Sequence, residues 1–169
     1  MDIKMISFRE LKISDFAFMR EMLYEALFVP EGEKPFDRSI IDLPEISKYT
    51  DNWGTPDDFG LIVCNDEIPV GAIWGRLYHE GHKGYGFIDE QTPEMTIAIR
   101  SEYRNKGLGT SMMVEFTKCA KKNGYEGLSL SVDKRNRAVN LYQRIGFVVF
   151  DELETAYTMK LQITNLTDL

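Results

Sequence analysis

The run from residue 94 to residue 110 holds the densest chemistry in the chain. Ile97-Ala98-Ile99 reads as the end of a strand. Arg100-Ser101-Glu102-Tyr103-Arg104-Asn105-Lys106-Gly107-Leu108-Gly109-Thr110 then forms a glycine-containing turn that opens an amphipathic helix. The amide N–H groups at such a helix start lack intrahelical partners and point outward, and the helix dipole adds partial positive charge. Gly107 and Gly109 have no Cβ, so an anion can approach the backbone closely, while Arg104 and Lys106 add full charges at the same place. This combination suits a diphosphate. A Walker-type loop is excluded because no lysine follows Gly109. A dinucleotide fingerprint fits poorly, since Met112 stands where a third glycine belongs and the fingerprint normally opens a first βα unit.

The rest of the chain has to position this turn. Alternation over residues 4–9 predicts a first strand, with Met5 or Ile6 and Phe8 as its apolar positions. Ser14 and Asp15 can cap a helix to about residue 28, with Phe16, Met19, Leu23 and Leu27 on one face. Residues 30–35 break it, and the stretch to Pro56 is loop-rich with one short helix over 43–49. Residues 61–64 and 70–78 read as a hairpin, and residues 79–86 as a glycine-rich tip. A strand over 94–100, a helix over 108–123, a strand over 128–132, a short helix over 137–145 and strands over 147–150 and 157–163 complete the pattern. Asn123-Gly124 supplies a left-handed cap after the long helix. The order, βα(α)βββαβαββ, is that of a mixed α/β chain with hairpins first and a βαβ crossover later.

A second stretch, Asn136-Arg137-Ala138-Val139-Asn140-Leu141-Tyr142-Gln143-Arg144-Ile145-Gly146-Phe147, is equally informative. Asn136 suits an N-cap, and Ala138, Leu141 and Ile145 form a core stripe. Tyr142 lies about 100° round from Leu141, at the edge of the buried face, where a ring packs while its hydroxyl points into a cleft. With an asparagine ahead of it, Ala138-x-x-Leu141-Tyr142-x-x-x-Gly146-Phe147 resembles the helix and strand of the GCN5-related N-acetyltransferase (GNAT) family. Arg104-Asn105-Lys106-Gly107-Leu108-Gly109 resembles that family's Arg/Gln-x-x-Gly-x-Gly/Ala signature for coenzyme A. The resemblance runs from about residue 5 to residue 161.

This resemblance implies a mixed α/β fold whose central sheet is splayed between two parallel strands, here 94–100 and 128–132, and flanked by helices. It implies one N-acetyltransferase domain over 1–169, with an acceptor-side segment at about 30–58 that varies within the family. The implied activity is transfer of an acetyl group from acetyl-CoA to an amine, without a metal. Ile97, Ala98 and Ile99 would meet the pantetheine in strand fashion. Arg104, Asn105, Lys106, Gly107, Leu108, Gly109 and Thr110 would hold the diphosphate, and Asn136 and Tyr142 would also touch the co-substrate. An N–H near Ile99 would stabilise the carbonyl oxygen. Tyr142 is the implied general acid, since a phenol that titrates ordinarily at ~10 is protonated at neutral pH. Glu94 is the candidate general base; the alternative is an exposed strand-end glutamate after Pro93. The competing function is a non-catalytic coenzyme A sensor or interaction module on the same fold, against which the presence of Tyr142 argues.

Composition sets the frame. In 169 residues, 43% hydrophobic and 28% charged side chains exclude a disordered chain. No apolar run approaches the ~20 residues of a membrane span, and residues 1–9 carry charges where a signal peptide would be apolar. A cytoplasmic protein is expected, with Cys64 and Cys119 as buried thiols. The net charge of −7 disfavours nucleic acid as a partner. Residues 31–58 hold eight acidic and three basic side chains, whereas residues 100–144 hold ten basic and four acidic. That distribution suggests a polyanion on the basic block and a cationic amine near the acidic one. His79 and His82 have a spacing open to metal but more typical of a plain loop. Trp53, Trp74 and Tyr78 are core residues or acceptor-pocket walls, and a homodimer stays open.

Overall fold

In the computed structural model, which describes residues 2–163, the first alternating segment becomes strand β1 (Ile6–Glu10). Ile6 and Phe8 pack inward, while Met5 lies outside and is 68% exposed. Helix α1 (Phe16–Ala26) buries Met19, Met22 and Leu23. It stops two residues before the predicted end because Leu27 turns extended, with ψ 119°. Helix α2 (Pro44–Ser47) is one turn with proline at its start, a position whose N–H would have no helical partner anyway. Strands β2 (Phe59–Asn65) and β3 (Ile68–Arg76) form the hairpin. Its two-residue turn places both Asp66 (φ 49°) and Glu67 (φ 68°) in the left-handed region, matching the twist of the flanking strands.

Strand β4 (Glu94–Ile99), helix α3 (Leu108–Lys122) and strand β5 (Gly127–Asp133) make the crossover. Helix α4 (Ala138–Ile145) and strands β6 (Val148–Glu152) and β7 (Ala156–Gln162) close the chain. The sheet order is β1-β2-β3-β4-β5-β7-β6, and every neighbouring pair is antiparallel except β4 with β5. Met112, Met113 and Phe116 of α3 pack on one face with Leu128 and Leu130 of β5 and with Tyr142 of α4. Met19, Met22 and Leu23 of α1 pack on the other with Trp53, Trp74 and Tyr78, so these three aromatics are core residues.

The parallel pair meets at one register position, Glu94 opposite Ser129, with Ser129 N–H donating to Pro93 O at 2.9 Å. Beyond that point the strands part. An ordinary parallel pair carries evenly spaced bonds along its length, so the edges that follow face a gap. Arg100 N–H donates to Val70 O on β3. Because N–H directions alternate along a strand, those of Ile97 and Ile99 point to the gap side.

Arg76, at the end of β3, fixes the segment that crosses the other face. Its guanidinium pairs with Asp58 at 3.1 Å and donates to the carbonyls of Lys48 (3.0 Å) and Asp51 (2.6 Å). Trp74 Nε1 donates to Tyr49 O at 2.9 Å, so the backbone around Tyr49 is anchored at Lys48, Tyr49 and Asp51. Cys64 is buried and Cys119 half-buried. Among the described residues no helix is long and apolar enough to cross a membrane.

Candidate functional site

Where β4 and β5 separate, a cavity of about 180 Å³ opens. Glu94 stands at its closed end, only 3% exposed, with Thr96 and Ile97 leading outward along β4. Glu94 is therefore not an exposed strand-end glutamate. Its Oε2 accepts a hydrogen bond from the Tyr49 hydroxyl at 2.6 Å, and that hydroxyl accepts one from Tyr85 N–H at 2.7 Å. Its Oε1 has no hydrogen-bond partner, and the buried hydroxyls of Tyr78 and Ser129 have none either. Burial pushes the Glu94 carboxyl up to about 7, against the opposing pull of the Tyr49 hydroxyl, the Gly86 amide and the Lys48 charge. Burial and the neighbouring carboxylate raise the Tyr49 phenol well above its ordinary range, so it stays a donor.

The glycine-rich tip explains the enclosure. A Cβ on Gly84 would lie 2.1 Å from Glu94 Oε1 and 3.0 Å from the Tyr49 hydroxyl. One on Gly86 would lie 2.6 Å from the carbonyl carbon of Leu130 on β5. The chain can cross the closed end of the gap only because these two positions lack side chains. Neither Tyr49 nor Gly84 is visible as a site residue in the sequence. Tyr49 ends a nondescript short helical stretch, and Gly84 reads as one loop glycine among several. Among the described residues no three His, Cys, Asp or Glu side chains could hold a metal ion together, and His79 and His82 lie at the tip, away from the cavity lining.

Tyr142 reaches the cavity from α4 and is 7% exposed, more buried than the half-buried Ala138, Leu141 and Ile145 beside it. Its ring packs on Phe147, and burial alone pushes its phenol up to about 12. Asn136 lines the same cavity and accepts from Ala138 N–H at 2.9 Å, so it caps α4 from two residues upstream. Ala98 is turned the other way, buried in the core on the α1 side.

The turn after β4 is open to solvent. Arg104, Asn105, Lys106 and Gly107 are exposed, Thr110 is exposed and Gly109 half-buried. Asn105 (φ 61°) and Gly107 (φ 83°) are left-handed, a geometry that gathers successive N–H groups into a concavity for an anion. The first helical return bond runs from Ser111 N–H to Gly107 O, and among the described residues the amides of 105–110 meet no protein acceptor. The Arg104 amide donates to Ser101 O, and its side chain is engaged with Ile99 O (3.0 Å) and Glu25 (3.0 Å). Leu108 is buried in the α3 core. Gly109 has a packing reason of its own, since a Cβ there would stand 3.1 Å from Leu141 Cδ2.

A mixed sheet parted between the two strands that, among the described residues, are its only parallel neighbours, with a turn of free amides at the exit of the first, defines the acyl-CoA N-acyltransferase fold. The chain belongs to the Acetyltransferase (GNAT) family, whose model matches residues 16–147. It is 40% identical over 70 residues to the uncharacterized N-acetyltransferase YobR of Bacillus subtilis, covering 41% of this chain and 26% of that protein. It is 28% identical over 102 residues to the probable N-acetyltransferase san of Drosophila melanogaster, covering 59% of this chain and 52% of that one. The chain thus spans about half or less of the length of these curated relatives. Among solved structures, PaiA N-acetyltransferase from Thermoplasma acidophilum in complex with coenzyme A matches with a TM-score of 0.66 and 21% identity, covering 94% of this chain and 99% of that one; the likeness is one of fold.

Proposed function

We propose that this protein transfers an acetyl group from acetyl-CoA to an amine, by direct attack of the amine in the cavity between β4 and β5. The observation that carries this reading is Glu94: a buried carboxylate with proton affinity near neutrality, at the closed end of a gap that leads to a turn of unpartnered amides. The donor set fits the co-substrate. Ile97 and Ile99 offer strand-edge amides to the pantetheine, and the amides from Asn105 to Thr110 suit the diphosphate, with Lys106 adding charge. The Arg104 side chain is a brace for the turn rather than a ligand, because Ile99 O and Glu25 already hold it.

The bound co-substrate supplies an acetyl thioester. Glu94 takes a proton from the incoming amine, the Ile99 amide stabilises charge on the carbonyl oxygen, and Tyr142 donates to the departing sulfur. A phenol near 12 is protonated throughout the neutral range. Full proton transfer to a thiolate whose conjugate acid titrates ordinarily at ~8.5 is uphill, so Tyr142 contributes first as a hydrogen-bond donor. Tyr142→Phe is accordingly expected to lower kcat by about 10- to 100-fold while the Kd for acetyl-CoA changes little, measured by thiol release and calorimetry. Equal activity would remove Tyr142 from the chemistry.

Thr110→Glu tests the turn. Thr110 is exposed in the first turn of α3, where an acidic side chain favours the helix by about 0.3–1 kcal/mol. The same charge opposes a diphosphate. Acetyl-CoA binding should weaken at least about tenfold while Tm is unchanged or higher, and unchanged binding would contradict the assignment. A screen for thiol release with a panel of amines tests the function itself. Binding of acetyl-CoA without turnover of any amine would favour a coenzyme A sensor.

A further inference from the structure

The acceptor end of the cavity is walled by Leu23 and Ala26 of α1, Leu27 directly after it, Ile46 of α2 and Tyr85, and among the described residues Glu94 is the only charged group that lines it. The acidic side chains nearby are engaged elsewhere. On α1, Glu21 pairs with Arg100 at 3.3 Å and Glu25 with Arg104 at 3.0 Å. Within the acidic segment, Asp42 pairs with Arg20, Asp58 with Arg76, and Asp37 caps Ser39. No carboxylate of residues 31–58 lines the cavity. A second ammonium entering this end would lose its water and gain no carboxylate, and the Lys48 charge that already acts on Glu94 would repel it. Apolar carbon, by contrast, would cover the half-buried Ala26 and Leu27 at a gain.

We propose that the acceptor is a primary amine borne on an apolar carbon frame with no second positive charge, its nitrogen directed at Glu94 and its frame against α1 and Ile46. This rests on the acetyl-transfer reading and narrows it. The amine nitrogen forms the new bond to the acetyl carbon as the carbon–sulfur bond breaks. Glu94 accepts the proton that nitrogen loses and passes it to solvent, and the sulfur, leaving under the hydrogen bond of the Tyr142 hydroxyl, takes its proton from solvent. The products are an N-acetylated amine and free coenzyme A. On this proposal the acceptor is selected by an uncharged wall rather than by the acidic segment to which sequence charge points.

The test compares kcat/KM for 3-phenylpropylamine, isoamylamine, a tripeptide with N-terminal leucine, putrescine and spermidine, with products identified by mass. The monoamines or the leucine tripeptide should exceed the polyamines at least tenfold, and the better of those two arms tells a free amine from a chain terminus. Putrescine or spermidine used as well as the monoamines would overturn the proposal. Leu27→Asp, placing a carboxylate in the wall, should move the putrescine-to-isoamylamine ratio about tenfold toward putrescine; an unmoved ratio in folded protein would overturn the placement. Should no amine be acetylated although acetyl-CoA binds, the transfer reading falls and this proposal with it, whereas a polyamine preference overturns the acceptor class alone.

Discussion

Glu94→Gln is expected to lower kcat by about 10²- to 10³-fold while leaving acetyl-CoA affinity nearly unchanged. The amide keeps the shape and accepts the Tyr49 hydrogen bond, but it cannot take a proton. The wild-type kcat/KM profile should rise with pH through an apparent pKa of about 7 and then level, because below that value the carboxyl is already protonated. Stability provides a second signature that does not depend on turnover. Glu94 titrates near 4.5 in the unfolded chain and near 7 in the folded one, so between those values the unfolded chain binds fewer protons. The contribution is full below about 4.5 and is lost as pH rises through 7, a difference of roughly 3 kcal/mol. Denaturant titrations should find Glu94→Gln gaining on the wild type between pH 5 and pH 8. A parallel pH dependence in both proteins would show that Glu94 is not held in the folded state as described.

Gly84→Ala should produce a loss of similar size without touching an ionisable group. Its Cβ would stand 2.1 Å from Glu94 Oε1 and 2.9 Å from its carboxyl carbon, so the carboxylate must swing away from Tyr49. No positive φ is involved at Gly84, so the effect is steric rather than conformational. The control is Gly81→Ala in the same loop, where the nearest atoms, in the His79 ring, are 3.6 Å away. A fall in kcat of about 10²-fold at position 84, with none at position 81, is the expected pair of results. Equal rates in the two variants would mean that the tip does not hold the carboxylate in place.

Much of this architecture was legible in the sequence, and the reasons are local. The 3.6-residue period marks α3, its glycines mark the turn, and the Ala138–Phe147 pattern marks α4 and the start of β6. The pairing of Glu94 with Tyr49 was not legible, because it joins positions 45 residues apart through a fold contact that leaves no periodic trace. The use of Gly84 was hidden for a related reason. A glycine needed for close approach looks, in sequence, like one needed for a turn. Charge counted by segment does not say where the carboxylates end up in the fold. The eight carboxylates of residues 31–58 suggest a cation site, but Arg76 and Arg20 hold two of them and none lines the cavity. Arg104 likewise carries the expected charge at the expected turn, yet its guanidinium faces Glu25 and Ile99 O.

That last arrangement has a mechanical consequence. One planar group clasps the rim of the gap, at Ile99 O, and the end of α1, at Glu25, while its own backbone begins the turn that continues through Gly107. Arg100, four residues earlier, clasps α1 again at Glu21. The helix that furnishes Leu23 is thus strapped to the loop that would grip the donor. One wall of the cavity and the turn of free amides are therefore built on a shared pair of contacts, at Glu21 and Glu25.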